Sequence, residues 1–180
     1  MKKLYTMLLL VISLCTASCS DWLDVSPSNQ VNGDKLFEIG DGYRNALNGI
    51  YLNLGTSSMY GQTMSWGFMD AIAQYYKTDN GSNFIPKTSV YYKSAKFQFE
   101  DSDVKTFISN IWSVSYNNIA NCNNLILNVS EASPSVFKEG EFEKNMIWGE
   151  ALALRAFMHF DLLRLFAPAI SKDDGKSYIP

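Results

Sequence analysis

Residues 141–166 place apolar side chains at nearly every angle of a helical wheel, and this stretch constrains the fold more than any other. Ile147, Trp148, Leu152, Leu154, Phe157, Met158, Phe160, Leu162, Leu163, Leu165 and Phe166 surround an axis about 39 Å long at 1.5 Å per residue. A helix this apolar predicts burial on several sides, and hence several partner helices. Its polar residues sort onto two faces: Glu150, Asp161 and Arg164 on one, Arg155 and His159 on the other. Asp161 and Arg164 lie three apart and are predicted to pair. Pro168 ends the element.

The rest of the chain also reads as helical. Tyr43, Leu47, Ile50, Tyr51 and Leu54 share one face of a segment from Gly40 to Leu54 that stops at Gly55. Met64, Phe68, Ile72 and Tyr75 recur at near-helical spacing, widened by Trp66 and Met69, and predict a second amphipathic helix over 60–76. A long helix is expected from Ser102 or Asp103, either of which can cap it, to about Val129. Its apolar stripe is Trp112, Tyr116, Ile119, Cys122 and Ile126. A second row, Asn117, Asn121, Asn124 and Asn128, is unusual because Asn is a mediocre helix former. Buried structural hydrogen bonding is the expectation for Asn121. Ser133-Pro134-Ser135 breaks the chain before the last helix.

The first residues read as a leader. Lys2 and Lys3 precede the apolar run Leu4–Leu14, and Thr16-Ala17-Ser18 stands before Cys19. The run is too short to span a bilayer and fits a signal-peptide core, residues 1–18. Small residues before Cys19 suit cleavage there and acylation of its thiol, which makes Cys19 a lipidation site. Residues 19–34, with Ser26-Pro27-Ser28-Asn29, have the composition of a tether, and the helical region occupies 35–180. Cys15 leaves with the leader, so Cys122 is the remaining thiol and no internal disulfide is expected. Such a protein is held by apolar packing, and 47% hydrophobic content is ample for a core.

The chain has 15 basic and 18 acidic side chains, and the leader takes away two lysines and no acid. That balance, with no basic stripe, excludes nucleic acid as an expected partner. Catalysis is poorly supported too. There is one His, and no phosphate loop, metal-spaced Cys/His cluster or nucleophile elbow is visible. The neighbouring carboxylates Asp101/Asp103, Glu141/Glu143 and Asp173/Asp174 sit at helix starts or turns, where capping and solvation account for them. No enzyme activity, cofactor or metal is expected.

Binding is better supported. Residues 77–100 open with a polar turn-rich run, contain Pro86, and scatter Phe84, Tyr91, Tyr92, Phe97 and Phe99 through a stretch with little helical periodicity. Loops on a rigid scaffold commonly carry binding residues, and aromatic faces suit sugar C–H surfaces or peptide side chains. The bland alternative is that these rings seal the gap between helix pairs. The ligand-binding candidates are Tyr91 and Tyr92, followed by Tyr76 and Trp66. With local chain extended, one of Tyr91 and Tyr92 is expected to face inward and the other outward.

The run Glu150-Ala-Leu-Ala-Leu-Arg155-Ala-Phe157-Met-His-Phe160-Asp161-Leu-Leu-Arg164-Leu-Phe166 resembles the signature helix of the SusD/RagB family of cell-surface nutrient-binding lipoproteins. Cys19-Ser-Asp-Trp-Leu-Asp24, Asn45-Ala-Leu-Asn-Gly-Ile-Tyr51 and Trp112…Tyr116…Ile119…Asn121 are similar to that family's pattern as well. Ala167 stands where the family usually has Gly. The resemblance implies an all-α fold, a tetratricopeptide-like helical repeat scaffold with irregular ligand-binding loops. Ala156-x3-Phe160-x7-Pro168 has the spacing of half such a repeat. It further implies oligosaccharide capture, with peptide as the alternative ligand, and a SusC-type TonB-dependent outer-membrane transporter as partner. A helical-repeat scaffold for envelope assembly is the third reading. Family members are longer, so an incomplete domain is expected, lipid-anchored at the outer-membrane surface.

Overall fold

In the computed structural model, residues 33–76 and 85–179 are described. The leader, Cys19, the tether up to residue 32, the Asn80-Gly-Ser82 sequon and Phe84 lie outside them. The chain divides into two compact units, residues 1–35 and 36–180, and the second holds nearly everything described. Among the described residues there are six α-helices and no strand, as expected for an all-α protein. The helices are α1 (Gly33–Leu36), α2 (Gly40–Leu54), α3 (Phe68–Ile72), α4 (Val90–Ala95), α5 (Ser102–Glu131) and α6 (Glu141–Phe166). None of them is long and apolar enough to cross a membrane.

The frame is an antiparallel pair, α5 and α6. Lys144 near the start of α6 reaches the carbonyl of Ala132 just past α5 (2.8 Å), while Phe166 at its end meets Trp112, ring centroids 4.9 Å apart. α2 lies against both and runs parallel to α6: Arg44 bonds Glu143 at 3.0 Å, and Tyr51 bonds Glu150 at 2.9 Å. The core lies where the three meet. Leu47, Ile50 and Leu54 of α2 pack with Ile119, Cys122, Leu125 and Val129 of α5 and with Ile147, Ala151, Met158 and Leu162 of α6.

Local chemistry explains the boundaries. α5 is capped by Asp101, one residue before Ser102 and two before Asp103, the expected caps: its carboxylate accepts from the N–H of Asp103 (3.0 Å) and of Val104 (3.4 Å). α6 begins after Gly140, whose φ of 59° and ψ of −133° are open to glycine and strained for other residues. Glu141 and Glu143 then place negative charge against the positive end of the helix dipole. Glu143 also accepts from the N–H of Glu139 (3.3 Å), and Arg44 with that N–H holds its carboxyl below the usual carboxylate range.

Four expectations are corrected. First, α6 is buried along one stripe rather than on several sides. α2 and α5 cover Ile147, Ala151, Met158 and Leu162, but Phe142, Trp148, Phe157, Phe160 and Leu163 are exposed, because no described helix packs along that side and Tyr60 covers only part of Phe157. Second, no helix covers 60–76. Residues 55–67 are a chain of tight turns, closed by bonds such as Met64 N–H to Met59 O (2.8 Å) and Gly67 N–H to Gln62 O (2.7 Å). The hydroxyls of Thr63 and Ser65 bond loop carbonyls of Ser57 and Tyr60 (2.8 Å each) and favour these turns over a helix.

Third, the 77–100 stretch is not wholly irregular, since residues 90–95 form α4 with Ser89 as its cap. Tyr91 and Tyr92 therefore sit on successive helical positions, not on alternating sides of an extended chain. Fourth, the buried asparagine of α5 is Asn118, not Asn121. Asn118 bonds Asn53 (3.0 Å) and the Val114 carbonyl (2.9 Å), whereas Asn121 is exposed and meets Asn117 at 3.4 Å. A shift of three residues moves the side chain onto the turn that faces α2.

Candidate functional site: an aromatic cleft

The tight turns after α2 place Gln62, Trp66 and Gly67 along one wall of a cleft of about 530 Å³. The chain leaving α3 supplies Tyr75 and Tyr76, α4 supplies Tyr91, and Ile85 completes the lining. This volume falls in the range of small-molecule sites.

Each wall is fixed by local bonds. The indole N–H of Trp66 donates to the carbonyl of Gly61 at 3.1 Å, which orients the ring. The hydroxyl of Tyr76 donates to the main-chain carbonyl of Trp66, which ties the phenol to the backbone of the opposite wall. Gly67 has to be small: a Cβ there would sit 2.8 Å from the carbonyl oxygen of Gln62. Tyr91 stands edge-on to Phe107 of α5, centroids 5.7 Å apart, in a second apolar cluster built on Met64, Phe68 and Ile111.

Tyr75 is 79% exposed and Trp66 56% exposed. Contiguous exposed apolar surface of this kind marks interaction sites. Burial, and then the nearby Asp70 carboxylate, hold the Tyr76 hydroxyl above the ordinary phenol range; its proton is engaged by the Trp66 carbonyl, which leaves the oxygen to accept. The lining thus offers flat apolar faces, three phenol hydroxyls and one amide. Groups of these kinds are chemically suited to stacking on C–H faces and hydrogen-bonding hydroxyls.

The structure thus brings three of the four candidate residues, Trp66, Tyr76 and Tyr91, to one cleft. Tyr92 is elsewhere on α4, half-buried, with the Lys96 ammonium 5.9 Å from its ring centre. The sequence reading missed Gln62, Tyr75 and Ile85. Tyr75 was placed on the apolar face of a helix that does not extend to it, and the chain reversal that exposes it follows Gln74 rather than a glycine, which removes the usual signal.

Other reactive groups have structural partners. Cys122 is buried in the core, and burial pushes its thiol up to about 11. Asp101 and Asp103 share Lys93 at 2.9 and 2.8 Å. Asp173 and Asp174 accept turn N–H bonds from Gly175 and Lys176. Among the described residues no cluster of His, Cys, Asp and Glu could hold a metal ion.

Comparison with curated proteins and with solved structures gives no match. A family model does match, over residues 21–177, and it describes SusD-like proteins as starch-binding and associating with the outer membrane. That span includes α2, the cleft and the α5–α6 pair. The chain belongs to this SusD-like family of glycan-binding proteins associated with the outer membrane.

Proposed function

We propose that the aromatic cleft captures an oligosaccharide outside the cell and that the protein passes it to a SusC-type TonB-dependent transporter. The carrying observation is the convergence of Trp66, Tyr75, Tyr76 and Tyr91 on one cleft whose described lining carries no charged side chain. Pyranose rings present C–H faces to aromatic planes and hydroxyls to phenols and amides. Capture needs no chemistry, and the phenols and amide of this lining provide none at neutral pH. In this reading residues 1–18 are removed, acylated Cys19 holds the protein at the outer membrane, and residues 19–34 give it reach.

The reading is tested by titrating the full-length protein with maltoheptaose while following tryptophan emission. A saturable change that disappears in Trp66→Phe is expected. A protein that ignores maltoheptaose but responds to a peptide panel through the same tryptophan has a peptide as its ligand instead.

A further inference from the structure

We propose that Gln74 is a positioning residue for the aromatic cleft: its backbone turns Tyr75 and Tyr76 into the cleft, and its amide ties that turn to the helix that carries Tyr91. The inference rests on the reading of the cleft as a glycan site.

The backbone comes first. Gln74 has φ of 61°, in the left-handed region that residues with a side chain seldom adopt. It follows α3, and the bonds around it form a Schellman motif: Tyr75 N–H donates to Asp70 O at 3.1 Å, and Gln74 N–H to Ala71 O at 3.2 Å. That motif stops the helix and redirects the next two residues. They are Tyr75 and Tyr76, two of the cleft's rings.

Glycine is the ordinary residue at this position, because it adopts positive φ without cost. A glutamine there is strained, and strain held at one residue points to a use for its side chain. The side-chain amide donates to the carbonyl of Ala95, the last residue of α4. Helix-terminal carbonyls lack an intrahelical donor, so this bond satisfies an orphan acceptor. It also links two parts of the cleft that are 21 residues apart in sequence. α4 ends in the same way, with Phe97 at φ of 55° and bonds Phe97 N–H to Ser94 O and Gln98 N–H to Lys93 O at 2.9 Å each. The two helix ends meet through the Gln74 amide, which sets the distance between the Tyr75–Tyr76 wall and Tyr91.

Two variants separate this role from general stability. Gln74→Gly keeps the left-handed turn and removes the amide. Gln74→Glu keeps the length, removes the donor and turns an acceptor toward the Ala95 carbonyl. In the full-length protein both are expected to weaken maltoheptaose binding about tenfold, the loss expected when a ring no longer seats. Backbone amides of residues 92–98 should exchange faster in both, and the Gln74→Gly protein should melt at the wild-type temperature. Wild-type affinity in both variants, alongside a loss in Tyr76→Ala, overturns the role of Gln74 and leaves the cleft standing. Wild-type affinity in Tyr76→Ala, or no maltoheptaose binding by the wild type, overturns the cleft as a glucan site. Amide exchange then decides the tie alone: faster exchange supports it and unchanged exchange overturns it.

Discussion

The hydroxyl of Tyr60 donates a 2.7 Å hydrogen bond to the buried carboxylate of Asp161, across 101 residues of sequence. Arg164, one turn along α6, donates to the other oxygen of the same carboxylate through its Nε at 3.0 Å. The pairing of Asp161 with Arg164 was legible from their spacing. The third member, Tyr60, belongs to the turns that carry Trp66, so this bond anchors one wall of the cleft to α6.

Removing that hydroxyl in Tyr60→Phe leaves a buried carboxylate short of a donor, at a cost of ~1–3 kcal/mol. A pH signature accompanies it. Burial, and next the hydrogen bond and charge of Asp161, raise the Tyr60 phenol well above its ordinary value of 10.0. The folded protein therefore keeps a proton that the unfolded chain releases above about pH 10. This contribution is constant below pH 10 and lost as pH rises beyond it. Urea unfolding at a series of pH values should show a shallower alkaline fall for Tyr60→Phe than for the wild type.

Core and exposed apolar residues of α6 should respond differently. Leu162→Ala or Met158→Ala removes a fully buried side chain and is expected to destabilise by ~2–5 kcal/mol. Phe157 and Trp148 read as core residues from sequence, but they are 49% and 37% exposed. Phe157→Ala should cost about half of a buried aromatic's ~3–5 kcal/mol, mainly through its contact with Tyr60 at 5.0 Å. Denaturant midpoints of these variants of the full-length protein, with Trp148→Ala alongside, give the ranking.

The two long helices and α2 were legible because each carries an apolar stripe at helical spacing and ends at Gly55, Ser133-Pro134 or Pro168. The segment from 55 to 76 was not. Met64, Phe68 and Ile72 repeat as a helix would, but Gly61 and Gly67 approach neighbouring carbonyls too closely for a Cβ, and hydroxyls compete for the backbone. Periodicity also overstated the burial of α6, since it reports what a helix can bury rather than what lies beside it. The cleft was legible in part. Trp66, Tyr76 and Tyr91 stood out as aromatic residues near a loop, while their convergence depends on Gln74, whose left-handed backbone has no mark in the sequence.

Anchoring is tested at Cys19. Acyl chains contribute about 0.8 kcal/mol per buried CH₂, and two or more hold a protein stably at a membrane. Cys19→Ala is expected to leave the leader uncut or to release the protein from the membrane fraction, as judged by its mass and by fractionation. Unchanged processing and membrane association contradict the anchor.

Glycan capture by the aromatic cleft can be read by calorimetric titration of the full-length protein with maltoheptaose. Tyr76 lines the cleft and Tyr92, on the same stretch of chain, does not. Saturable binding by the wild type, a loss of about tenfold or more in Tyr76→Ala, and wild-type affinity in Tyr92→Ala are expected. Equal affinity in all three proteins, or a loss confined to Tyr92→Ala, would contradict it.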